Sequence, residues 1–215
     1  MVKLVSIDEA GRGPVIGPMV ICGVLIDDKE QFKLKMLGVK DSKLLTPKKR
    51  EHIYNILIKD LKYGVRIVEP KEIDNAVWSD STNLNWLEAD KAAEIINELK
   101  PERVIIDCPS NNIPAFVNYI KERVHKNIEV KAEFKADLKY LAVGAASIIA
   151  KVTRDREIEK LKKKNNVDFG SGYPSDSKTQ KFIAENWKDF DFFRKSWATY
   201  ERASNVGKQK KLGEY

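Results

Sequence analysis

The chain has 215 residues, 42% of them hydrophobic and 33% charged, and carries a formal net charge of +7. This predicts one sizeable soluble globular domain and excludes a disordered chain. It also excludes a helical membrane span: the longest apolar run, residues 15–26, is 12 residues long and is broken by Gly17, Pro18 and Gly23. The charge is placed unevenly. Residues 151–215 hold 16 basic and 10 acidic side chains, so the last third carries +6 of the +7. A basic region of that kind predicts a polyanionic partner. Cys22 and Cys108 lie in apolar stretches without metal-ligand spacing and read as buried thiols of a cytoplasmic protein. No basic, apolar, small-residue leader opens the chain.

In chain order, residues 2–7 predict a buried strand ending in the turn cluster Asp8-Glu9-Ala10-Gly11-Arg12-Gly13-Pro14. Residues 17–26 predict a second strand and 31–37 a short helix. Thr46-Pro47 opens another helix with an N-cap and a proline at the first helical position. A strand at 63–69, a short helix at 70–78 and a longer one at 83–99 follow. The run RVIID at 103–107 predicts a central strand ending in a carboxylate, with a helix at 113–124 and a strand at 128–134 after it. One long helix is predicted to open near Asp137, its apolar stripe formed by Leu138, Leu141, Ala142, Ala145, Ile148, Ile149 and Val152. A Gly/Ser/Pro loop at 168–177 surrounds Tyr173, and helices at 179–187 and 198–205 lead to a tail at 208–215. Strands first, then strands alternating with helices, then a helical end predict an α/β fold with a mixed central sheet.

Asp8, Glu9 and Asp107 sit at or just past predicted strand ends, where ligands bind in open α/β sheets. Neighbouring strand residues point to opposite faces, so convergence of Asp8 and Glu9 requires the backbone to turn at Glu9. Asp137 opens a helix, where a carboxylate is favoured by the dipole and also serves as an ordinary cap. Four carboxylates without histidine or cysteine are hard oxygen ligands suited to Mg²⁺ or Mn²⁺ rather than zinc, and such ions work in pairs in phosphodiester cleavage. His52 and His125 fall on charged segments and are given no catalytic part. With no histidine base, activity is expected to rise toward alkaline pH as the metal acidifies the attacking water.

Six motifs in fixed order resemble ribonuclease HII, and its archaeal members most: DEAGRG at 8–13, KDSK at 40–43, DCP at 107–109, KAD at 135–137, AASIIAKV at 145–152 with Arg154-Asp155, and GY at 172–173. The resemblance implies a ribonuclease H-like mixed sheet flanked by helices, organised as a catalytic domain at 1–165, a C-terminal helical substrate-binding region at 166–207 and a basic tail at 208–215. It implies a monomeric, metal-dependent endonuclease that hydrolyses the RNA strand of RNA–DNA hybrids. The same family nicks 5′ of single ribonucleotides in duplex DNA, leaving 3′-OH and 5′-phosphate ends, and serves ribonucleotide excision repair and replication. Carried onto this sequence, Asp8, Glu9, Asp107 and Asp137 are the catalytic and metal-binding carboxylates of a two-ion site. Gly11, Arg12 and Gly13 match the loop that meets the ribose 2′-OH, and Tyr173 the tyrosine at the RNA–DNA junction. Lys43, Lys139 and Lys151 are expected to face phosphates, and Ser147 to hydrogen-bond near the site.

The physical chemistry of the residues agrees with that reading. The 2′-OH alone distinguishes RNA from DNA at one nucleotide, and both donates and accepts. Reading it calls for backbone N–H and C=O groups at close range, which flanking glycines permit. A non-catalytic DNA-binding module would use the carboxylates only as ion-pair partners, and a glycoside hydrolase would use two of them as acid and base. The absence of sequence-adjacent arginine partners weighs against the first, and the basic surplus with the GRG loop against the second. Finally, Gln209, Leu212 and Tyr215 are spaced three apart and resemble the peptide by which replication and repair enzymes bind the sliding clamp. The ordinary alternative is a basic tail touching DNA phosphates.

Overall fold

The computed structural model describes residues 2–39, 42 and 45–212. Its elements in order are β1 (Lys3–Ala10), β2 (Met19–Asp27), a 3₁₀ turn (Asp28–Glu30), α1 (Gln31–Met36), α2 (Pro47–Asp60), β3 (Lys62–Val68), α3 (Pro70–Trp78), α4 (Leu84–Leu99), β4 (Arg103–Asp107), α5 (Ile113–Lys121), β5 (Glu129–Glu133), α6 (Ala136–Lys139), α7 (Leu141–Asn165), α8 (Ser177–Asn186) and α9 (Ala198–Leu212). The chain divides into two compact units. One comprises Met1–Ala10, Val20–Ile67 and Leu84–Arg154, and the other Gly11–Met19, Val68–Asn83 and Asp155–Tyr215.

The first unit is built on a five-stranded sheet of order β3-β2-β1-β4-β5. β1 pairs antiparallel with β2 and parallel with β4, and β4 pairs parallel with β5, so the sheet is mixed. β1 and β4 are the inner strands of its parallel part. They are buried on both faces, which is why they read as nearly unbroken apolar runs. One face carries Leu4, Ala10, Val20, Cys22, Val24, Ile26 and Ile105, packed with Ile53 and Leu57 of α2 and with α7. The start of α2 follows its sequence: the Thr46 hydroxyl accepts from the Lys49 N–H, and Pro47 occupies the first turn. The other face lies under α4. At Gly23 an added Cβ would stand 2.5 Å from Ile95 Cγ2, so only glycine lets α4 come this close to β2.

Three local expectations are corrected. β1 does not turn at Glu9. It stays in register with β2 through Glu9↔Ile21 and Ala10↔Val20, because the ladder hydrogen bonds outlast the apolar run. The helix predicted from Asp137 is two helices. Tyr140 is extended (φ −120°, ψ 117°), which separates the single turn of α6 from α7. Leu138 is therefore 57% exposed and does not join the stripe. Nor does Asp137 cap a helix: the cap position is Lys135, in the left-handed region at φ 55°. From 142 to 150 every α7 residue is buried, so this segment is enclosed all round rather than on one stripe.

The second unit has an aromatic core. Phe169, Phe192 and Phe193 are buried with Val15, Ile16, Ile158, Ile183 and Tyr200, and Phe182 and Phe190 pack against them. Ring centroids lie 4.8 to 6.5 Å apart in offset and tilted pairs, the separations aromatic rings prefer. α9 continues through Leu212, into the segment expected as a tail.

Candidate active site

β1, β4 and α6 each deliver one carboxylate to a common point. One oxygen each of Asp8, Asp107 and Asp137 lies within 4.8 Å of the other two, with Asp8 and Asp137 buried and Asp107 half-buried. The parity of the strands explains the first two. Asp8 shares its face with Leu4 and Ala10, and Asp107 shares its face with Ile105, the side covered by α7. Asp137 joins them through the left-handed residue Lys135. That turn also sets the Ala136 N–H 2.9 Å from Asp107 Oδ1. Left-handed backbone costs a lysine about 1–2 kcal/mol, which the surrounding contacts offset.

The Asp8 carboxyl is pushed well above the usual aspartate range. Burial is the main cause, followed by the charges of Glu9 and Asp107, against opposing hydrogen bonds from Ser147 and from the Glu9 N–H. The latter bond, to Asp8 Oδ1, is 2.8 Å long. Ser147 Oγ is also 2.9 Å from Ser42 Oγ, and both serines are buried. Arg50 holds this turn by donating two bonds to the Ser42 carbonyl and one to that of Leu45. Three close carboxylates that repel one another, with no histidine or cysteine in the group among the described residues, fit a hard divalent cation such as Mg²⁺ or Mn²⁺. Burial also raises the thiol of Cys22, with the Asp8 charge adding to it, and both cysteines are free and buried.

Glu9 is not in this group. Strand alternation turns it to the α4 face, where it lines a small cavity with Ile7, Glu88, Ala92, Phe116 and Asp107. Glu88 is a buried acid of α4 that sequence reading passed over. Lys139 is exposed and pairs with Glu133 at 3.2 Å. Lys151 is half-buried on α7. His52 and His125 are exposed. Lys43 and Tyr215 lie outside the described residues, as do the side chains of Gln209 and Leu212.

Gly11, Arg12, Gly13 and Tyr173 belong to the second unit, which brings the loop and the tyrosine together across 160 residues of sequence. The Val15 N–H donates to the Gly172 carbonyl at 2.9 Å, and a Cβ on Gly13 would lie 3.9 Å from Tyr173 Cε1. Gly11 has φ +85°, a conformation that favours glycine. Tyr173 is 36% exposed, so part of its ring is open to a ligand. Its loop is fixed from behind: buried Thr179 accepts from the Gly172 N–H and donates to the Phe169 carbonyl. Asp176 accepts from the N–H and hydroxyl of Ser171.

Sequence reading missed what supports the GRG loop. Arg194 is fully buried and donates to three carbonyls: Gly11 at 2.6 Å, Arg12 at 2.9 Å and Gly17 at 2.9 Å. The Trp197 indole N–H donates to the Gly13 carbonyl at 3.1 Å. The available signal was a cation directly after Phe192-Phe193, where a charge must find partners or stay out of the core.

A mixed sheet of this order, with carboxylates from two adjacent parallel strands joined by a third from α6, is the arrangement of the ribonuclease H-like class. The comparisons make the assignment closer. The family model for ribonuclease HII matches residues 5–200. The chain is 45% identical to the ribonuclease HII of Pyrococcus furiosus over 97% of this chain and 94% of that protein. It superposes on the crystal structure of ribonuclease H2 from Pyrococcus horikoshii OT3 with a TM-score of 0.87, at 45% identity, covering 96% of this chain and 99% of that one. It also superposes on the ribonuclease HII of Archaeoglobus fulgidus, solved as a complex with PCNA, with a TM-score of 0.83 at 40% identity, covering 91% and 95% of the two chains. The chain belongs to the ribonuclease HII family, nucleases that hydrolyse the RNA strand of RNA–DNA hybrids. Among the described residues no helix is long and apolar enough to cross a membrane.

Proposed function

We propose that this enzyme, besides cutting hybrids, nicks duplex DNA on the 5′ side of single embedded ribonucleotides, leaving 3′-OH and 5′-phosphate ends. The observation that carries the chemistry is the convergence of Asp8, Asp107 and Asp137. These three, with Glu9, hold one or two Mg²⁺ or Mn²⁺ ions. When bound, such ions supply Lewis acidity to the phosphodiester and lower the pKa of the attacking water. The chain's own groups fix the ligands. Ser147, backed by Ser42, orients Asp8, and the Ala136 N–H orients Asp107. Water attacks phosphorus and the P–O3′ bond breaks, so the 2′-OH is recognised but does not act as nucleophile. Recognition is assigned to the Gly11-Arg12-Gly13 backbone, and the adjacent Tyr173 ring is assigned to the following sugar, where a missing 2′ oxygen lets it lie flat. Arg12, Lys139 and Lys151, with Lys43, are assigned to phosphates.

Such an activity belongs to ribonucleotide excision repair and replication. The free buried thiols Cys22 and Cys108 suit a cytoplasmic setting. The PCNA complex of the Archaeoglobus relative supports a clamp-binding role for Gln209, Leu212 and Tyr215. The deciding experiment uses matched duplexes with none, one or four ribonucleotides, with and without Mg²⁺ or Mn²⁺, and sizes the products by mass. Metal-dependent cutting 5′ of the single ribonucleotide is expected. An intact single-ribonucleotide duplex alongside a cleaved four-ribonucleotide duplex would confine the enzyme to hybrids.

A further inference from the structure

The segment Arg194-Lys195-Ser196-Trp197 is bound to the ribose-reading loop with unusual completeness. All three carbonyls of Gly11, Arg12 and Gly13 accept from Arg194 or Trp197. A planar guanidinium holds its N–H groups in a rigid fork, so bonds to Gly11, Arg12 and Gly17 fix the loop at both ends. The Arg194 N–H adds a bond to the Val15 carbonyl at 2.8 Å. The guanidinium also lies over the Trp197 ring, 5.0 Å from its centroid, which ties the two donors to each other.

The segment has its own anchor. Buried Asp74 of α3 accepts from the Lys195 N–H at 2.9 Å, the Ser196 N–H at 2.9 Å and the Ser196 hydroxyl at 2.6 Å. These are charge-assisted bonds, roughly twice as strong as neutral ones. A line of direct contacts therefore runs from α3 through residues 194–197 to the loop, all within the second unit.

We infer that Arg194 and Trp197, anchored by Asp74, are positioning residues that set the ribonucleotide selectivity of the Gly11-Arg12-Gly13 loop. This rests on the proposed reading of the loop. The physical link is the peptide plane. Among the described residues no peptide bond is cis, and in a trans peptide the N–H points opposite to the carbonyl across the same bond. Carbonyls of Gly11 and Arg12 drawn toward Arg194 turn the N–H groups of Arg12 and Gly13 the other way. The third such peptide ends in Pro14, which has no N–H; the Trp197 bond to its carbonyl acts one step away, fixing Gly13 φ and ψ and so steadying the neighbouring plane that carries the Gly13 N–H. The loop is thus left presenting the Gly13 donor on the side away from Arg194. Gly13 is exposed, and among the described residues no protein acceptor meets its N–H. The Gly13 donor is available to substrate oxygen, with its direction set by side chains nearly two hundred positions later. Freed carbonyls would let the plane rotate and blur the difference between a ribose and a deoxyribose.

The test is equilibrium binding of the full-length protein, in EDTA to prevent cleavage, to two duplexes that differ only in one ribonucleotide. Thermal unfolding is measured alongside. Trp197→Phe keeps the ring and removes the donor to Gly13. Its preference for the ribonucleotide duplex should fall about two- to tenfold, the range for one hydrogen bond, with affinity for the all-deoxy duplex unchanged. Arg194→Lys replaces a fork by a single ammonium and should lose more. Should Arg194→Lys fail to fold, Trp197→Phe alone decides. A wild-type preference that persists in Trp197→Phe overturns the inference, even at a lowered unfolding temperature. Equal loss of affinity for both duplexes also overturns it, because the segment would then only support the fold. A wild-type protein with no preference removes the proposed reading of the loop, and this inference with it.

Discussion

Asp107→Asn separates the electrostatic cost of the carboxylate cluster from its use. The side chain keeps its size, and an asparagine oxygen still accepts from the Ala136 N–H, now 2.9 Å from Asp107 Oδ1. What is lost is one charge among three whose nearest oxygens lie within 4.8 Å. At an effective dielectric of 20, two unit charges at that separation repel by about 3.5 kcal/mol. The protein avoids part of this because burial and the neighbouring charges raise the Asp8 carboxyl and so favour its neutral form. Removing the Asp107 charge should therefore return about 1–2 kcal/mol, which for a chain of this length is about 2–8 °C in unfolding temperature. Cleavage should move in the opposite direction. Loss of an outer partner of a metal ligand typically costs about 10–100-fold, and loss of a direct ligand should cost more. Scanning fluorimetry in EDTA and with Mg²⁺, beside a cleavage assay, reads both effects. The variant should melt higher than wild type in EDTA, gain less from Mg²⁺ and scarcely cleave. A lower melting temperature in EDTA would refute the repulsion argument, and near-wild-type cleavage would remove Asp107 from the site.

Other expectations are open to direct measurement. If Tyr173 supplies ring area rather than proton chemistry, Tyr173→Phe should retain more cleavage of a single-ribonucleotide duplex than Tyr173→Ala, and equal severe losses would show that the hydroxyl matters. The Asp176 carboxyl is lowered to about 2, first by the Ser171 N–H and hydroxyl and then by the amides opening α8. A lowered folded value means its stabilisation is complete above the unfolded value of 3.8 and is lost as pH falls toward 2. Asp176→Asn should flatten the dependence of unfolding temperature on pH in that window, and a profile parallel to wild type would contradict the assignment. A peptide of residues 205–215 should bind the cognate sliding clamp at moderate salt and lose binding on combined Leu212→Ala and Tyr215→Ala substitution. Undiminished binding by the doubly substituted peptide would leave the tail as charge alone.

The sequence by itself determined the order and type of the elements, because these follow from short-range rules. Apolar runs, the Thr46-Pro47 cap and the carboxylate after RVIID mark strands and helices within a few residues of where they lie. It also carried the motifs that place the chain in its family. Tertiary structure decided the rest. Whether Glu9 turned with Asp8 depended on β2 holding the ladder through Ala10, a long-range pairing with no local signature. The break at Tyr140 hid inside an apolar period, since a helix stripe continues in print across a residue that is extended in space. Arg194 shows the same limit most clearly. Its three acceptors are backbone carbonyls at Gly11, Arg12 and Gly17. Every residue but proline offers the same backbone groups, so no letter of the sequence distinguishes them. Only folding, which carries Arg194 back to the start of the chain, selects which three it meets.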